Sequence, residues 1–321
     1  MSVFTRVDRS TLEQFLASFN VGKLTHFKGV SEGIENTNYF VTTTNAEFVL
    51  TLVEQWEATE VPYFIELMDW LAARGIPCAR PIPDRNGTTL HTLLGRPAAL
   101  IERLSGESTE EPTADNCEEV GAVLARMHLA SADFTMHRDD QRGMQWRQSV
   151  TQTLYPIVGG ADAAILREEL AHHLAQDWRH LPHGVIHADL FPDNVLFNAT
   201  KISGVIDFYY ACNFYRIYDL AITANQWCTN TDGSLSVPRS TALLRAYDQT
   251  RAIEAGERDA WPDMLRYAAL RFWISRLKDK IFPKQGLLTT IKDPGALKTI
   301  LINRKDNASA LRAQLEEALA K

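Results

Sequence analysis

Two short segments in the second half of the chain contain polar residues of the types and spacing that phosphoryl transfer uses. The first is HADLFPDN at 187–194, and the second is VIDF at 205–208. Asp189 precedes Asn194 by five residues, and Asp207 follows Asn194 by thirteen. A carboxylate, an amide and a second carboxylate in this order are typical of kinase-like phosphotransferases. Each residue alone could begin a turn, cap a helix or end a strand, but the three together favour the catalytic interpretation.

The chemistry of the three side chains explains why these residue types are needed. Asp189 can orient a substrate hydroxyl and accept its proton late in the transfer. Asn194 and Asp207 offer the hard oxygen ligands that Mg²⁺ prefers, and the metal neutralises charge on the β- and γ-phosphates. The sequence therefore predicts an enzyme that uses ATP and Mg²⁺.

The first hundred residues show the pattern of an antiparallel sheet with one long helix. Ser10 and Glu13 have the spacing of a capping box, which predicts a short helix that starts there. A second helix is predicted around 64–71, and Gly75 would end it. Strand-like runs are predicted at 24–30, 37–43, 47–53, 89–94 and 97–104. The last two would form a hairpin around the dipeptide 95–96.

From Thr113 onward the pattern is mostly helical, with a β segment between 184 and 208. A single hydrophobic core stops growing at roughly 250–300 residues, so a chain of 321 residues should form two lobes. The stretch 102–110 is the expected hinge, since it joins the strand-rich part to the helix-rich part through Gly and Ser. The predicted class is α+β, with lobes at 1–103 and 104–321.

Composition places the chain among globular enzymes. Hydrophobic residues make up 45% and charged residues 23%, which argues against disorder. The net charge of −7 disfavours nucleic-acid binding. No apolar run approaches the roughly 20 residues of a membrane helix, and the N-terminus lacks a signal-peptide pattern. The four scattered cysteines indicate no disulfide framework, so we expect a cytoplasmic location.

Longer stretches of the chain resemble the aminoglycoside-phosphotransferase-like kinases and, within them, the bacterial homoserine kinases. The resemblance spans nearly the whole chain. The stretches that carry it are GIENTNYF at 33–40, FVLTL at 48–52, HADLFPDNVLF at 187–197, VIDFYYAC at 205–212, YDLA at 218–221 and ALRFWISRL at 269–277. The DFYYAC and LRFWISRL runs indicate the homoserine kinases in particular.

The resemblance implies a bilobal protein-kinase-like fold, with an antiparallel-sheet lobe, a larger mainly helical lobe and ATP bound between them. It also implies transfer of the γ-phosphoryl group to the hydroxyl of L-homoserine, a step of threonine biosynthesis. His187 is a candidate catalytic residue, although a scaffold role is preferred. Asp219 either caps the helix that it opens or braces the catalytic loop, and the resemblance favours the brace. The implied nucleotide-contacting residues are Gly33, Asn36, Asn38, Glu102 and Leu104.

One position departs from the family pattern. The family usually places a lysine, or sometimes an arginine, where this chain has Thr51. A threonine cannot supply the positive charge that holds the α- and β-phosphates. Lys28, backbone amides or the metal would have to compensate, or ATP would bind unusually. Glu66 would then lack its usual lysine partner, and we interpret it as part of a solvated helix face.

The helix predicted at 261–281 is apolar almost all round and should be buried. Arg271 and Arg276 lie within it, and a buried guanidinium needs a partner. That partner is either an internal carboxylate or the carboxylate of an amino-acid substrate. Tyr210 is a further candidate substrate contact.

Charge distribution bears on the choice of substrate. The last 101 residues hold 16 basic and 11 acidic residues, which fits a zwitterion such as homoserine better than a cationic aminoglycoside or choline. A kinase for choline, ethanolamine or another small alcohol is the alternative enzyme. An inactive kinase-like binding protein is the alternative of a different class, motivated by Thr51.

Overall fold

The computed structural model describes residues 5–30, 36–283 and 293–320. They form a protein-kinase-like α+β fold, which confirms the predicted class. The chain divides into two compact units. The N-terminal unit extends to Gly106 and includes Ser203–Ile206, and the C-terminal unit starts at Glu107.

The N-terminal unit is built on a five-stranded antiparallel sheet with strand order β1-β2-β3-β5-β4. Alternate residues of β2 are buried, and they pack with Leu12 and Leu16 of the first helix into one apolar core. The elements are α1 Arg9–Leu16, β1 Leu24–Gly29, β2 Thr37–Thr43, β3 Glu47–Leu52, α2 Val61–Ala72, β4 His91–Leu93 and β5 Arg96–Glu102. All five predicted strands are present, and the bounds of β2 agree with the prediction at both ends.

Two local predictions in this unit are wrong. The first helix begins at Arg9 because Asp8 is its N-cap, and the Asp8 carboxylate accepts the Thr11 N–H at 2.8 Å. The predicted start at Ser10 therefore lies inside the helix. The second hairpin turns at Leu94 and Gly95, whose φ angles are +52° and +76°, and not at 95–96. Two successive positive φ angles match the twist of paired strands, so the next strand already starts at residue 96.

The C-terminal unit is mainly helical, with two small two-stranded sheets, β6-β9 and β7-β8. Its helices are α3 Ala114–Ala130, α4 Met144–Leu154, α5 Gly160–Leu174, α6 Arg216–Trp227, α7 Val237–Thr250, α8 Ala255–Ile281, α9 Pro294–Asp306 and α10 Ala308–Leu319. Its strands are β6 His183–Ile186, β7 Val195–Asn198 and β9 Cys212–Tyr215, together with the start of β8 Lys201–Val205, whose residues from Ser203 belong to the N-terminal unit.

Helix α8 is the longest helix described and lies in the middle of this unit. Most of its side chains are buried, as its apolar pattern predicts. It starts at Ala255, earlier than predicted, because Glu254 and Glu257 form a capping box with each other's backbone N–H groups. Its buried residues form the wall against which α4, α6, α9 and α10 pack.

The four cysteines are free and buried, in agreement with the absence of a disulfide pattern in the sequence. Within the described ranges, none of the helices combines the length and the apolar character that a bilayer span needs.

Candidate active site

The pairing of β6 with β9 brings the two predicted catalytic segments together. Ile186, the last residue of β6, pairs with Cys212, the first residue of β9. The segment that follows β6 and the segment that precedes β9 therefore leave the small sheet at the same end. The His187 ring packs on the Phe208 ring with centroids 4.8 Å apart, which joins the two segments directly.

The first segment turns sharply at Ala188. This residue is buried and has a φ angle of +63°, a left-handed conformation that is costly for a residue other than glycine. The Ala188 N–H donates to Asp219 at 2.8 Å, so a buried ionic hydrogen bond stabilises the turn. Asp189 follows it with a partly exposed side chain, as a residue that meets a substrate must have.

Asp219, at the start of α6, holds this turn in place. Its buried carboxylate accepts the N–H groups of His187 and Ala188, each at 2.8 Å, and lies 3.1 Å from Nε2 of His128. Burial alone would raise the pKa of Asp219, but the hydrogen bond from His128 and the other donors outweigh burial and hold the pKa below its usual value. The contacts confirm that Asp219 braces the catalytic loop.

A series of buried, hydrogen-bonded polar side chains extends from Asp219 through the C-terminal unit. The Tyr247 hydroxyl donates to Nδ1 of His128 at 2.7 Å and accepts from Arg251 at 3.1 Å. Arg251 in turn pairs with Glu257 at 3.0 Å. Burial lowers the pKa of His128, so its neutral ring has one donor for Asp219 and one acceptor for Tyr247. These side chains fix α3, α6, α7 and α8 around the catalytic turn.

His187 occupies a structural position. Its side chain is buried, and its Nδ1 accepts the Asp189 N–H at 3.2 Å. Together with the packing on Phe208, these contacts favour the scaffold role over the catalytic role. The ring orients the backbone of Asp189.

Asn194 and Asp207 offer the oxygen atoms that a Mg²⁺ site needs. The Asn194 amide nitrogen donates to the Asp189 carbonyl at 2.9 Å, which fixes the orientation of the amide and leaves its oxygen as a ligand. Asp207 is exposed and has φ and ψ angles of +63° and +61°. The described residues contain no group of three or more His, Cys, Asp or Glu that could hold a metal. Two protein oxygens fit Mg²⁺ nevertheless, because this ion takes its other ligands from phosphates and water.

Arg271 contacts the predicted catalytic carboxylate itself. Its Nη1 lies 3.3 Å from Oδ1 of Asp189, and its side chain is 4% exposed. The guanidinium also stacks over the rings of Tyr210 and Phe272, with centroids at 5.0 and 3.8 Å. Burial works to lower the pKa of Arg271, but Asp189 and the nearby tyrosines outweigh it, and the pKa is raised. The structure therefore gives Arg271 an internal acidic partner.

Arg276 has a freer side chain. It is half-buried, and its guanidinium forms no hydrogen bond or ion pair with the residues that the structure describes. Burial lowers its pKa, and the carboxylates of Asp193, Asp189 and Asp293 partly offset this effect. Among the residues that the structure describes, Arg276 therefore interacts with the carboxylates near the catalytic loop through charge alone.

Sequence reasoning missed Arg142, which lies over Tyr210, and Asp140 in the same turn. Arg142 is half-buried, and its guanidinium lies 5.6 Å from the Tyr210 ring centroid. Asp140, two residues earlier, accepts the Arg142 N–H at 2.7 Å. Charged residues in a turn between helices usually form a solvated surface, so the sequence offered no signal beyond the cluster of charges in HRDDQR at 137–142.

The predicted nucleotide contacts belong to the N-terminal unit. Gly33 lies outside the described residues. Asn36 accepts the Glu54 N–H through its side-chain oxygen at 3.2 Å. Asn38 on β2 faces Thr51 on β3, and the Thr51 hydroxyl donates to the Asn38 side-chain oxygen at 2.7 Å. These side chains already stabilise strand ends and strand pairing.

The remaining predicted residues of this unit lie at the sheet or on its surface. Glu102 ends β5 and is exposed, while its N–H donates to the Arg80 carbonyl at 2.9 Å. Leu104 is half-buried. Lys28 and Glu66 are exposed, which agrees with the interpretation of Glu66 as part of a solvated helix face.

The contact between Thr51 and Asn38 leads to a prediction for Thr51→Ala. Because the Thr51 hydroxyl is bound to Asn38 and has no charge, we expect the KM for ATP to change no more than about twofold. The lost hydrogen bond should cost about 1 kcal/mol of stability. ATP kinetics and thermal melting of the variant, beside Thr92→Ala on the exposed side of β4, test this. A fall in kcat of a hundredfold or more would show that Thr51 is central to catalysis.

Comparisons with known proteins agree with this geometry. The profile of the "Phosphotransferase enzyme family" matches residues 26–253. The homoserine kinase of Methylobacillus flagellatus is 46% identical over 301 residues, covering 94% of each chain. The homoserine kinase of Pseudomonas aeruginosa is 44% identical over 309 residues, covering 95% of this chain and 97% of the relative.

The fold is shared with a solved phosphotransferase. The aminoglycoside phosphotransferase of Alicyclobacillus acidocaldarius superposes with a TM-score of 0.70, at 16% identity and with 98% of each chain covered. At that identity the likeness concerns the fold alone. The family profile and the full-length relatives go further, and the chain belongs to the phosphotransferase enzyme family and, within it, to the homoserine kinases.

Proposed function

We propose that the protein transfers the γ-phosphoryl group of ATP to the hydroxyl of L-homoserine and forms O-phospho-L-homoserine for threonine biosynthesis. The relatives at 44–46% identity are named homoserine kinases. The observation that carries the mechanism is the fixed position of Asp189. Its N–H is bound by His187, its carbonyl by Asn194 and its carboxylate by Arg271.

Asp189 is the proposed proton acceptor. The substrate hydroxyl donates a hydrogen bond to its carboxylate, which directs an oxygen lone pair at the γ-phosphorus. As the new O–P bond forms and the bond to the β-phosphate oxygen breaks, the hydroxyl proton passes to Asp189 and ADP leaves. Arg271 keeps the carboxylate in one orientation, which lowers the entropy lost when the hydroxyl docks.

Asn194 and Asp207 are the proposed Mg²⁺ ligands. The metal, when bound, neutralises phosphate charge that would otherwise repel the incoming hydroxyl oxygen. The protein prepares this site by binding the Asn194 amide to the Asp189 carbonyl. This hydrogen bond holds Asp189, the proposed proton acceptor, and Asn194, a proposed metal ligand, in a fixed relative position.

The N-terminal unit is the proposed nucleotide-binding part. Gly33, Asn36, Asn38, Glu102 and Leu104 are proposed to contact ATP, supported by their positions in the family pattern. For Glu102 and Leu104 the backbone groups would be used and not the side chains. The negative net charge of the chain supports a small-molecule substrate over a nucleic acid, and we propose that the enzyme acts in the cytoplasm.

A choline or ethanolamine kinase is the alternative that the local charges disfavour. Arg271 contacts Asp189, and the pKa of Arg276 is raised by the nearby carboxylates of Asp193 and Asp189, although burial lowers it overall. Guanidinium groups in these positions would repel a cationic alcohol, whereas they attract a substrate with a carboxylate. The complete set of Asp189, Asn194 and Asp207 argues against an inactive binding protein.

An acceptor panel tests the proposed function. ATP consumption is measured with L-homoserine, choline, ethanolamine, L-threonine and an aminoglycoside, each with Mg²⁺ and with excess EDTA. We expect rapid turnover with L-homoserine and Mg²⁺ only. Faster turnover of choline or ethanolamine would replace the assigned substrate, and no turnover of any acceptor would support the binding-protein alternative.

Arginine substitutions locate the group that binds the substrate carboxylate. Arg271 and Arg276 are the proposed contacts, with Tyr210 beside the first. The Arg276 guanidinium forms no ion pair within residues 5–30, 36–283 and 293–320, so Arg276→Lys should raise the homoserine KM about tenfold, because lysine lacks the planar pair of donors. The KM for ATP and the melting temperature should stay near their wild-type values.

Arg271→Lys is the matched comparison. It weakens the contact with Asp189, so we expect a lower kcat and a lower melting temperature as well. If both lysine variants melt early and keep the wild-type homoserine KM, the two arginines are structural and another group binds the carboxylate.

A further inference from the structure

The turn at residues 138–143 holds the carboxylate of Asp140, and the Arg142 guanidinium of the same turn lies over the Tyr210 ring. Two hydrogen bonds anchor the turn to β9: the Arg138 N–H donates to the Asn213 side-chain oxygen at 3.0 Å, and the Asn213 N–H donates to the Arg138 carbonyl at 2.7 Å. The Gly143 N–H closes the turn on the Asp140 carbonyl at 3.1 Å. Asp140 is therefore held on a fixed backbone within the C-terminal unit.

The two carboxylate oxygens of Asp140 differ in their surroundings. Oδ1 accepts the Arg142 N–H at 2.7 Å. Oδ2 is buried and has no hydrogen-bond partner among the described residues. A buried carboxylate oxygen without a donor is unfavourable, so it calls for a partner such as a bound water molecule, an ion or a ligand.

Arg138 and Arg142, each two residues from Asp140 in the sequence, donate no hydrogen bond to this oxygen. The Arg142 guanidinium lies over the rings of Trp146 and Tyr210, at 4.7 and 5.6 Å from their centroids. On the same Tyr210 ring, Arg271 lies at 5.0 Å from the centroid and reaches Asp189. The Asp140 carboxylate and the Arg142 guanidinium therefore do not pair with each other. Oδ2 of Asp140 remains an acceptor without a donor among the described residues.

Asp140 also lies within electrostatic range of the catalytic centre. After burial, which acts against it, Asp189 is the main group that raises the pKa of Arg271, and Asp140 adds to this effect. Burial raises the pKa of Tyr267, and Asp140 raises it further. The turn that holds Asp140 and the side chain of Arg271 also meet at one ring, because the Arg142 guanidinium of that turn and the Arg271 guanidinium both lie over Tyr210.

We propose that Asp140 is a substrate-specificity residue whose Oδ2 accepts a hydrogen bond from the α-ammonium group of the amino-acid substrate. This inference rests on the proposed homoserine kinase function. A primary ammonium group offers three donors and the positive charge that a buried carboxylate lacks. The substrate hydroxyl would bind at Asp189, so two carboxylates would bind the hydroxyl and the ammonium group of one small molecule.

The pocket should reject an acceptor without the ammonium group. A site built to pair a charged donor is left with an unpaired buried carboxylate when that donor is missing. 4-Hydroxybutyrate has the hydroxyl and the carboxylate of homoserine but no ammonium group. Its kcat/KM should be at least about a hundredfold below that of L-homoserine with the wild-type enzyme.

Asp140→Asn tests the assignment with little structural change. The asparagine oxygen can still accept the Arg142 N–H, so the turn and the melting temperature should be kept. We expect the homoserine KM to rise at least about tenfold, with the 4-hydroxybutyrate KM unchanged. Asp139→Asn is the control, because Asp139 is adjacent, its side chain is 86% exposed, and it pairs with the exposed His137.

The results separate three cases. A wild-type enzyme that phosphorylates homoserine, combined with loss of discrimination in Asp140→Asn only, supports the proposal. Equal use of homoserine and 4-hydroxybutyrate by the wild type overturns it, whether or not the variant folds. Unchanged discrimination in a folded Asp140→Asn variant also overturns it. Failure of the wild type with homoserine in the acceptor panel would instead overturn the proposed function.

Discussion

Asp207→Asn should lower kcat for homoserine phosphorylation by about two to three orders of magnitude at saturating ATP and Mg²⁺. The substitution keeps the shape of the side chain but removes its negative charge. A neutral amide binds a hard cation much more weakly than a carboxylate does, and Asn194 already supplies an amide. The site would then contain two neutral ligands facing a doubly charged metal and the phosphates that it holds.

The backbone conformation at Asp207 should accept asparagine, so we expect the substitution to lower kcat without lowering stability. Asp207 has a φ angle of +63°, and asparagine tolerates the left-handed region as well as aspartate does. The variant should therefore melt near the wild-type temperature. Asp232→Asn, at an exposed turn, is the control. A Mg²⁺ titration completes the test, and a wild-type rate at saturating Mg²⁺ would show that Asp207 is not a metal ligand.

The local parts of the site could be predicted from the sequence. Asp189 and Asn194 lie five residues apart in one loop. Their relative position depends mainly on that short stretch of backbone, so their spacing in the sequence already indicates that they lie close together. Strand β2, Thr37–Thr43, could be predicted because Tyr39 and Val41 alternate with polar residues in the sequence. The turn at Leu94 was missed, since a bulky residue with positive φ is uncommon and carries no signal in its type.

The partners of buried charges could not be predicted. Arg271 and Asp189 are 82 residues apart, and only the packing of α8 beside the catalytic turn brings them together. Sequence reasoning considered another acidic residue or the substrate, whereas the partner is the catalytic carboxylate. The same limit applies to Thr51, whose neighbour Asn38 follows from the register of β2 and β3 and not from any nearby residue.

Substitution of Asp219 by asparagine should affect both stability and catalysis. Asp219 is fully buried, and its carboxylate meets three donors: the N–H groups of His187 and Ala188, and Nε2 of His128. An asparagine has one oxygen, and its NH₂ group would face at least one of these donors. A buried donor left unpaired costs free energy, so we expect a loss of about 3 kcal/mol of unfolding free energy.

The catalytic effect follows from the left-handed turn. Ala188 keeps its φ angle of +63° while its N–H is bound to Asp219, and a relaxed turn would displace Asp189 from the substrate hydroxyl. A displacement near 1 Å can lower the rate about a hundredfold. Kinetics and thermal melting of Asp219→Asn and Asp207→Asn, measured together, distinguish the two roles.

We expect Asp207→Asn to lose turnover with an unchanged melting temperature and Asp219→Asn to lose both. A loss of stability with a normal kcat would show that the turn keeps its shape without Asp219. In that case the buried hydrogen bonds through His128 and Tyr247 would stabilise only the packing of the helices. The pairing of β6 with β9 would then keep Ala188 in its left-handed conformation.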